Sequence, residues 1–233
     1  MNTIITGGTK GIGLAIAHAY AREGSNLSIC SRNSEDLTDF KAQFEKQYPG
    51  LEILVFKADL SVKKEVQAYA AHIRNHWSHV DVLVNNAGRF IPGKIQDEED
   101  GVLEDQINTN LYSAYHLTRL MLPLMLPQSG GHIFNICSIA SFMAYPNGGS
   151  YSISKFAMLG FSKVLREELK EKGIKVSSIM PGATWSASWH GADLPQSRLM
   201  KAEDIALAVV SAWKMSPSAV VEEIIIRPQL GDL

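Results

Sequence analysis

The sequence predicts an α/β protein with one doubly wound parallel sheet of about seven strands, covered by helices on both faces. Short runs rich in β-branched residues alternate with longer amphipathic runs from end to end, which is the pattern of βαβ units. The run Val80–Asn85 has almost no polar face, as expected for a parallel strand buried on both sides. The 233 residues show no break in composition, so we expect a single domain covering residues 1–233.

The first half of the chain contains four predicted strands and three predicted helices. The strands are Asn2–Thr6, Asn26–Ser31, Leu51–Lys57 and Val80–Asn85. The helices are Gly11–Glu23, a helix capped by Asn33 or Ser34 that runs to about Tyr48, and Ser61–His76, begun by its serine. Glu35 and Asp36 lie in the first turn of the second helix, where acidic groups suit the helix dipole. Pro49-Gly50 stops that helix.

The second half continues the alternation. The predicted helices are Val102–Leu122, Ser150–Lys172 and Lys201–Met215. The predicted strands are Gly131–Cys137, Ile174–Met180 and Val220–Arg227. Pro123 is expected to end the first of these helices because proline cannot continue the backbone hydrogen bonds. A loop, Gly182–Leu199, joins the sixth strand to the last helix.

Composition narrows the class of protein. With 45% apolar residues, 20% charged residues and a net charge of -2, the chain has no general attraction to nucleic acid or membranes. No charged leader precedes a long apolar run and no apolar span reaches 18 residues, so neither secretion nor a transmembrane helix is expected. Cys30 and Cys137 lie in predicted strands, which favours buried, reduced thiols and a cytoplasmic location. The seven histidines lack metal-binding spacing, so no metal is expected, and Asp97–Asp100 is expected to be a solvated loop.

A glycine-rich loop follows the first predicted strand. It reads Thr6-Gly7-Gly8-Thr9-Lys10-Gly11-Ile12-Gly13. Glycines let the backbone turn tightly and approach a pyrophosphate, whose charge then meets the N-terminus of the following helix. The spacing of Gly7, Gly11 and Gly13 is neither G-x-G-x-x-G nor an NTPase P-loop. A plain strand–helix turn is the alternative, but the position favours a dinucleotide site on a Rossmann fold.

The end of the second strand, Cys30-Ser31-Arg32-Asn33, suggests which dinucleotide binds. An acidic residue here usually meets a free ribose 2′-hydroxyl, whereas an arginine accommodates a 2′-phosphate. Arg32 is present without an acid beside it, and Lys10 lies in the adjacent loop. The sequence therefore predicts NADP(H) rather than NAD(H), unless Arg32 is only a solvated surface residue.

Tyr151 and Lys155 are four residues apart, which places both side chains on one face if the segment is helical. A nearby ammonium favours the phenolate and so moves a tyrosine toward useful acid–base chemistry. The same spacing is common on solvated helix faces, so the pair indicates a catalytic site only if a cofactor site lies beside it.

The chain resembles the short-chain dehydrogenase/reductase superfamily, in its shorter single-domain form, from Thr3 to about Pro228. The matching motifs are the loop Thr6–Gly13, Asp59-Leu60, Asn85-Asn86-Ala87-Gly88, Asn110, Ser138, the pair Tyr151 and Lys155, and Pro181-Gly182. The resemblance implies a single Rossmann-type domain that transfers hydride between a nicotinamide and a carbonyl or secondary alcohol.

The resemblance also implies roles for these residues. Tyr151 is then the acid/base, and Lys155 holds the nicotinamide ribose and lowers the pKa of Tyr151. Ser138 donates a hydrogen bond to the substrate oxygen, and Asn110 positions a water that links Lys155 to solvent. Taken singly, Ser138 and Asn110 also suit ordinary structural roles. The candidate cofactor contacts are Gly7, Thr9, Lys10, Gly11, Ile12, Gly13, Ser31, Arg32, Asp59, Leu60, Asn86, Ala87, Gly88, Tyr151, Lys155, Pro181, Gly182, Thr184 and Ser186.

Three positions depart from the family pattern. The run after Pro181-Gly182 is Ala183-Thr184-Trp185-Ser186, where Ser186 stands in for a threonine. Ser141 occupies a common glycine position, which we expect to affect only the substrate loop. The C-terminus lacks the usual D-G-G ending, so tail contacts known from relatives are not assumed.

The expected substrate is small and largely apolar. Its pocket is expected to use Arg89–Pro92, Ser141–Asn147 and Thr184–Met200, with Phe90, Ile91, Phe142, Met143, Tyr145, Trp185 and Trp189. These aromatics are equally consistent with packing. The two long helices carry Leu117, Leu120, Met121, Phe161 and Leu165, and the resemblance implies a homodimer or homotetramer through them, unless these side chains only cover the sheet.

Two other functions stay open at this point. One is a non-catalytic dinucleotide sensor that presents a surface to a protein partner, although a sensor does not need Ser138, Tyr151 and Lys155 together. The other is an epimerase or dehydratase on the same fold, whose relatives usually have a longer substrate region than this loop provides.

Overall fold

The computed structural model describes residues 1–126, 130–185 and 195–232. Its centre is a seven-stranded sheet in the order β3-β2-β1-β4-β5-β6-β7, with every neighbouring pair parallel. The strands are β1 Asn2–Thr6, β2 Asn26–Ser31, β3 Ile53–Lys57, β4 Val82–Asn85, β5 Gly131–Ile136, β6 Ile174–Pro181 and β7 Glu223–Ile226. The predicted doubly wound α/β fold is therefore confirmed.

Helices connect these strands. The α-helices are α1 Gly11–Arg22, α2 Ser34–Gln47, α3 Lys63–His76, α4 Val102–Ile107, α5 Ser113–Met125, α6 Gly149–Leu169 and α7 Ala202–Trp213. A π-helical turn, Asn108–Tyr112, lies between α4 and α5. Short 3₁₀ turns cover Ile139–Ser141, Lys170–Lys172 and Gln196–Arg198.

Both faces of the sheet are covered by apolar side chains. Helices α1, α2 and α7 pack on one face, where Ile16, Phe44 and Val209 are fully or almost fully buried. Helices α3, α5 and α6 pack on the other face, where Leu117 and Met121 are fully buried. Burying apolar surface on both faces stabilises a parallel sheet, which has no solvated side.

The order of the strands determines where a ligand can bind. Strand β1 lies between β2 and β4, with Thr6 paired to Cys30 on one side and Ile5 to Val84 on the other. The chain therefore runs outward from β1 through β2 to β3, and then crosses back to form β4 on the other side of β1. Such a switch point opens a crevice at the carboxyl ends of the strands.

The sequence did not predict the break in the long helix that follows β4. The single helix expected over Val102–Leu122 is two α-helices separated by the π-helical turn. Pro123 does not end the helix, because α5 continues through it to Met125. Since Met125 is fully buried, we attribute this last turn to packing that outweighs the hydrogen bond that proline loses.

Other element ends differ by a few residues from those expected. Helix α3 begins at Lys63, and Val62 precedes it without a side-chain cap. Ser61 is not the cap because its amide and hydroxyl both donate to the Asp59 carboxylate. Asn33 is the cap of α2, since its side-chain oxygen accepts from the backbone of Glu35 at 2.8 Å. Within the described ranges, no helix has the length and apolar character needed to cross a membrane.

Candidate active site

A cavity of about 540 Å³ opens at the carboxyl ends of the central strands. Its polar lining residues include Asn86, Arg89, Ser138, Tyr151, Lys155, Thr184 and Asp232. Its apolar lining residues include Ile12, Phe90, Ile136, Ile139, Met143, Pro146 and Pro181. Residues far apart in sequence meet here because every one of these strands ends at the same edge of the sheet.

The glycine loop has the backbone that a phosphate cradle requires. Gly7 has φ of 63° and Gly11 has φ of 54°, a left-handed region that side chains other than hydrogen disfavour. Gly13 has no room for a side chain, because a Cβ there would overlap the carbonyl oxygen of Gly7 and the amide of Asn86. These residues fit a pyrophosphate at the N-terminus of α1.

Asn86 and Thr6 brace the glycine loop against the end of β4. The Asn86 side-chain amide donates to the carbonyl oxygens of Thr6 at 2.8 Å and Gly7 at 3.1 Å. The Thr6 hydroxyl accepts from the backbone amides of Asn86 and Ala87, both at 2.9 Å. Asn86 therefore fixes the loop as well as lining the cavity, and Thr6 is a supporting residue absent from the predicted set.

A second, polar cavity of about 750 Å³ adjoins the loop beyond β2. It is lined by Thr9, Lys10, Ser31, Arg32, Asn33, Ser34, Glu35, Asp36 and Lys57. Four of these, Thr9, Lys10, Ser31 and Arg32, belong to the predicted cofactor contacts. Lys57, at the end of β3, adds a third cation that local sequence reasoning missed, because only the pairing of β2 with β3 brings it beside Ser31.

The positive charges of this polar cavity differ in their surroundings. Lys10 forms an ion pair with Asp36, with 2.7 Å between the ammonium and the carboxylate oxygen. Arg32 is exposed, and its positive charge contributes to a lowered pKa at Asp59. For Asp59, partial burial acts to raise the pKa, but hydrogen bonds from Ser61 and the charges of Arg32 and Arg89 outweigh it.

Tyr151 and Lys155 both lie in α6, one turn apart, which confirms the expected shared face. Burial raises the pKa of Tyr151, while a hydrogen bond with the Ser138 side chain acts to lower it. The net shift of the Tyr151 pKa is therefore upward, and the lowering by Lys155 expected from the sequence stays a prediction. The physical reason is that desolvation of the phenolate dominates over nearby stabilising groups.

Lys155 is held by the backbone rather than by the phenol. Its side chain is 5% exposed, and Nζ donates to the carbonyl oxygen of Ile136 at 2.8 Å. Nζ lies 5.9 Å from the centre of the Tyr151 ring. Burial lowers the pKa of Lys155, partly offset by the Cys137 thiol, as expected when an ammonium leaves water.

Ser138 is oriented by its own turn. It precedes the 3₁₀ turn Ile139–Ser141, and its Oγ accepts from the Ala140 amide at 3.1 Å. The Ser141 hydroxyl accepts from the Ser138 amide at 3.1 Å in return. Ser141 was expected to affect only the substrate loop, so this reciprocal cap is a correction: Ser141 positions Ser138.

Asn110 lies inside the π-helical turn and is almost fully buried. Its side-chain oxygen accepts from the Arg89 amide at 2.7 Å. Its side-chain nitrogen donates to the Arg89 carbonyl at 3.0 Å and to Ser154 Oγ at 2.8 Å. These bonds tie the segment at Arg89, which follows β4, to α6, and the water contact predicted for Asn110 stays a prediction.

The substrate side of the cavity is partly as expected. Phe90, Met143 and Tyr145 line it, and the Phe90 ring meets the Tyr151 ring edge-on with 4.8 Å between centroids. Ile91, Phe142 and Trp185 are not among the described lining residues, and Phe142 is exposed. Ser186 and Trp189 lie outside the described residues.

The remaining predicted residues fall into two sets. Ile12, Gly88, Pro181, Gly182 and Thr184 line the cavity. Leu60, Ala87 and Asp59 lie at the ends of β3 and β4 without lining either cavity. Asp232 was missed: it lies at the C-terminal end of the described chain and forms an ion pair with Arg227. Across the described ranges, no group of three or more His, Cys, Asp or Glu side chains could hold a metal ion.

Residues 1–194 match the family described as short chain dehydrogenase. Among curated proteins, a sepiapterin reductase from Chlorobaculum tepidum is 35% identical over 99% of this chain and 97% of its own length. An uncharacterised oxidoreductase from Staphylococcus epidermidis is 31% identical over 97% of this chain and 96% of its own length.

Solved structures show the same architecture. An alcohol dehydrogenase from Thermococcus sibiricus, complexed with 5-hydroxy-NADP, has a TM-score of 0.89 and 25% identity over 98% of this chain and 96% of its own. An L-sorbose reductase from Gluconobacter frateurii, complexed with NADPH and L-sorbose, has a TM-score of 0.88 and 25% identity, covering 97% and 94%. An actinorhodin polyketide ketoreductase with NADPH has a TM-score of 0.89 and 26% identity, covering 100% and 97%.

Proposed function

Because the chain belongs to the short-chain dehydrogenase/reductase family of oxidoreductases, we propose that it transfers hydride between NADP(H) and a carbonyl or secondary alcohol. The observation that carries this proposal is the meeting of Ser138, Tyr151 and Lys155 in one cavity at the switch point of the sheet. A sensor would need the nucleotide cavity but not these three side chains together. The substrate is proposed to be small and largely apolar.

Support for NADP(H) comes from the polar cavity beside the glycine loop. Arg32, Lys10 and Lys57 line it, and no acid ends β2. A guanidinium offers a planar pair of donors suited to a 2′-phosphate. The structural neighbours named above are complexed with NADP derivatives or NADPH, which supports the same cofactor here.

The bound nicotinamide would supply or accept the hydride. In reduction, Tyr151 gives its proton to the carbonyl oxygen, and in oxidation it takes the proton from the alcohol. The Ser138 hydroxyl donates a hydrogen bond to the same oxygen as negative charge develops. Lys155, buried beside both, keeps a positive charge near that oxygen and is proposed to hold the ribose.

Support for the substrate class comes from the cavity wall. Phe90, Ile139, Met143 and Pro146 contribute apolar surface, and Tyr145 contributes a phenol. An apolar wall with a few polar groups at one end binds a mainly apolar molecule and orients its one reactive oxygen. The related reductases act on sepiapterin and L-sorbose by name, so both belong in a substrate screen.

The decisive experiment follows NADPH absorbance at saturating cofactor across ketones, aldehydes, quinones, 3-oxoacyl thioesters, sepiapterin and L-sorbose. We expect oxidation of NADPH with at least one carbonyl class and a much lower rate with NADH. Tight NADPH binding without turnover on any carbonyl would favour the sensor instead. A product that keeps its oxidation state while the cofactor is recycled would favour an epimerase.

We also propose that residues 1–233 act as one cytoplasmic domain that assembles as a homodimer or homotetramer. Of the five side chains named above for this contact, Leu117, Met121 and Leu165 are buried against the sheet, whereas Leu120 and Phe161 are half-buried. The same helices expose Tyr112, Tyr115, Ile153, Phe156 and Val164. Sedimentation at micromolar concentration tests the assembly, and a monomer would count against it.

The proposed cytoplasmic location is supported by the two cysteines. Cys30 and Cys137 are both free and buried, which suits a reducing compartment.

A further inference from the structure

The acidic segment Asp97–Asp100 is not simply solvated, as the sequence suggested. Asp97, Glu99 and Asp100 are exposed, but Glu98 is half-buried against the N-terminus of α6. One Glu98 carboxylate oxygen accepts from the Ser150 amide at 2.9 Å, and the other accepts from the Ser150 hydroxyl. Glu98 therefore binds the residue directly before Tyr151 through two hydrogen bonds.

The backbone around Glu98 is docked on the same helix end. The Gly93 amide donates to the Asn147 carbonyl at 3.0 Å, and Gly93 forms a parallel bridge with Gly148. Gly149 has φ of 23°, and a side chain there would overlap the Glu98 carboxylate. The segment from Gly93 to Glu98 therefore packs directly against the turn that leads into α6.

Two further side chains continue this contact along α6. In one orientation of its side-chain amide, Gln106 accepts from the Ile91 amide and donates to the Ile91 carbonyl, both at 3.3 Å. With that amide turned over, it accepts from the Tyr151 amide at 3.1 Å and donates to the Arg89 carbonyl at 3.2 Å. Asn110 donates to Ser154 Oγ at 2.8 Å. The first-turn amides of Ser150 and Tyr151 have no partners within the helix. Glu98 accepts from the Ser150 amide, and Gln106 accepts from the Tyr151 amide in the second of its two orientations.

We propose that Glu98 is a positioning residue for Tyr151, acting as a latch that fastens the segment 89–101 to α6. The latch fixes the first turn of the helix that carries the phenol. It also holds the chain that presents Phe90, whose ring lies edge-on to Tyr151. A negative charge at a helix N-terminus is favourable in its own right. The role in turnover rests on the proposed carbonyl reduction, whereas the latch itself does not.

Three variants test the latch through turnover. Glu98→Ala removes both acceptors, and we expect kcat to fall about tenfold or more, because small errors in placing a catalytic group are costly. Glu98→Gln should retain most of the rate, since its oxygen can accept from the Ser150 amide and its NH₂ can donate to Ser150 Oγ. The exposed neighbour Glu99→Gln is the matched control and should keep the parent kcat. The KM for NADPH should stay within about twofold in all three, because the latch is not in the phosphate sites.

Hydrogen exchange tests the latch independently of any activity. The amides of Ser150 and Tyr151 should exchange faster in Glu98→Ala than in Glu99→Gln, with the rest of α6 unchanged. A parent protein without carbonyl turnover would overturn the proposed function yet leave this exchange test decisive. Unchanged exchange and unchanged kcat in Glu98→Ala would overturn the latch. So would an equal loss of kcat in Glu98→Ala and Glu98→Gln, since hydrogen-bond geometry would then not be the cause.

Discussion

The ammonium nitrogen of Lys155 lies 5.9 Å from the centre of the Tyr151 ring, with both side chains on one face of α6. The same nitrogen donates to the Ile136 carbonyl at 2.8 Å. The lysine is therefore anchored by the end of β5, and its charge faces the phenol across the cavity. This geometry gives the site a fixed cation beside a half-buried acid.

Tyr151→Phe should remove most carbonyl reduction while leaving cofactor binding intact. The variant loses the only proton that the proposed mechanism delivers to the substrate oxygen, and a positioned acid is typically worth about 10²–10⁴-fold in rate. The measurement is single-turnover reduction together with an NADPH titration by fluorescence. The exposed Tyr115→Phe serves as the control. Parent-like turnover by the Tyr151 variant would show that another group donates the proton.

Ser138→Ala should move the pH dependence of alcohol oxidation to higher pH. Burial already raises the pKa of Tyr151, and the hydrogen bond with Ser138 acts against that rise. Removing it destabilises the phenolate, so the pKa of Tyr151 rises further. Oxidation needs the phenolate, and its kcat/KM therefore begins to rise only at a more alkaline pH. A pH profile that keeps its midpoint in Ser138→Ala would contradict this coupling.

Much of the site could be predicted from sequence because its determinants are local. The alternation of strands and helices sets the sheet, and residues that directly follow a strand must gather at its carboxyl edge. Gly7 and Gly11 are recognisable because their backbone conformation excludes other residues. Tyr151 and Lys155 are recognisable because a helix fixes their relative direction.

What the sequence did not reveal depends on contacts between distant segments. Lys57 joins the polar cavity only through the register of β2 with β3. Glu98 looks like any member of an acidic surface run until its loop is placed on α6. The π-helical turn at Asn110 has no simple periodic signature, and the raised pKa of Tyr151 depends on burial, which a spacing argument does not contain.

Arg32→Ala should weaken the binding of NADPH without weakening the binding of NADH. Arg32 lines the polar cavity with Lys10 and Lys57, and Lys10 is already paired with Asp36. A charged hydrogen bond contributes about 1.5–3 kcal/mol, so the KM for NADPH should rise about 10–100-fold. The KM for NADH should not change, and the exposed Arg74→Ala should alter neither. An equal rise in the KM for NADPH and the KM for NADH would mean that Arg32 supports the fold rather than binding the 2′-phosphate.

Gly13→Ala should abolish cofactor binding, whereas Gly160→Ala should be tolerated. A Cβ at Gly13 would overlap the Gly7 carbonyl, so the loop must move. A Cβ at Gly160 meets no atom of the described residues within 4 Å. Alanine is favoured over glycine inside a helix by about 1 kcal/mol, so Gly160→Ala should raise Tm slightly. The measurement is the rise in Tm that NADPH causes in each variant, which we expect only for Gly160→Ala. A normal NADPH shift in Gly13→Ala would contradict the proposed cradle.

His132 should make the protein less stable in mild acid. It is buried at 2% exposure, its ring stacks on Phe134 at 3.8 Å between centroids, and its Nε2 lies 2.7 Å from Ser177 Oγ. Its other ring nitrogen, Nδ1, is buried and has no hydrogen-bond partner among the residues that the structure describes. Burial, with a smaller contribution from Lys175, therefore lowers the pKa of His132 to about 3. The folded protein keeps the ring neutral while the unfolded chain binds a proton near its usual pKa of 6.5.

The sign of the effect follows from this difference in proton binding. Between about pH 6.5 and 3 the unfolded state holds more protons at His132, so the free energy of unfolding falls as the pH falls. At pH 4.5 this amounts to about 2–3 kcal/mol relative to neutral pH. His132→Gln can donate to Ser177 but cannot take up the proton, so it should lose less stability on acidification than the parent. Urea unfolding at both pH values measures the difference, and identical losses in the two proteins would assign the acid sensitivity to other groups.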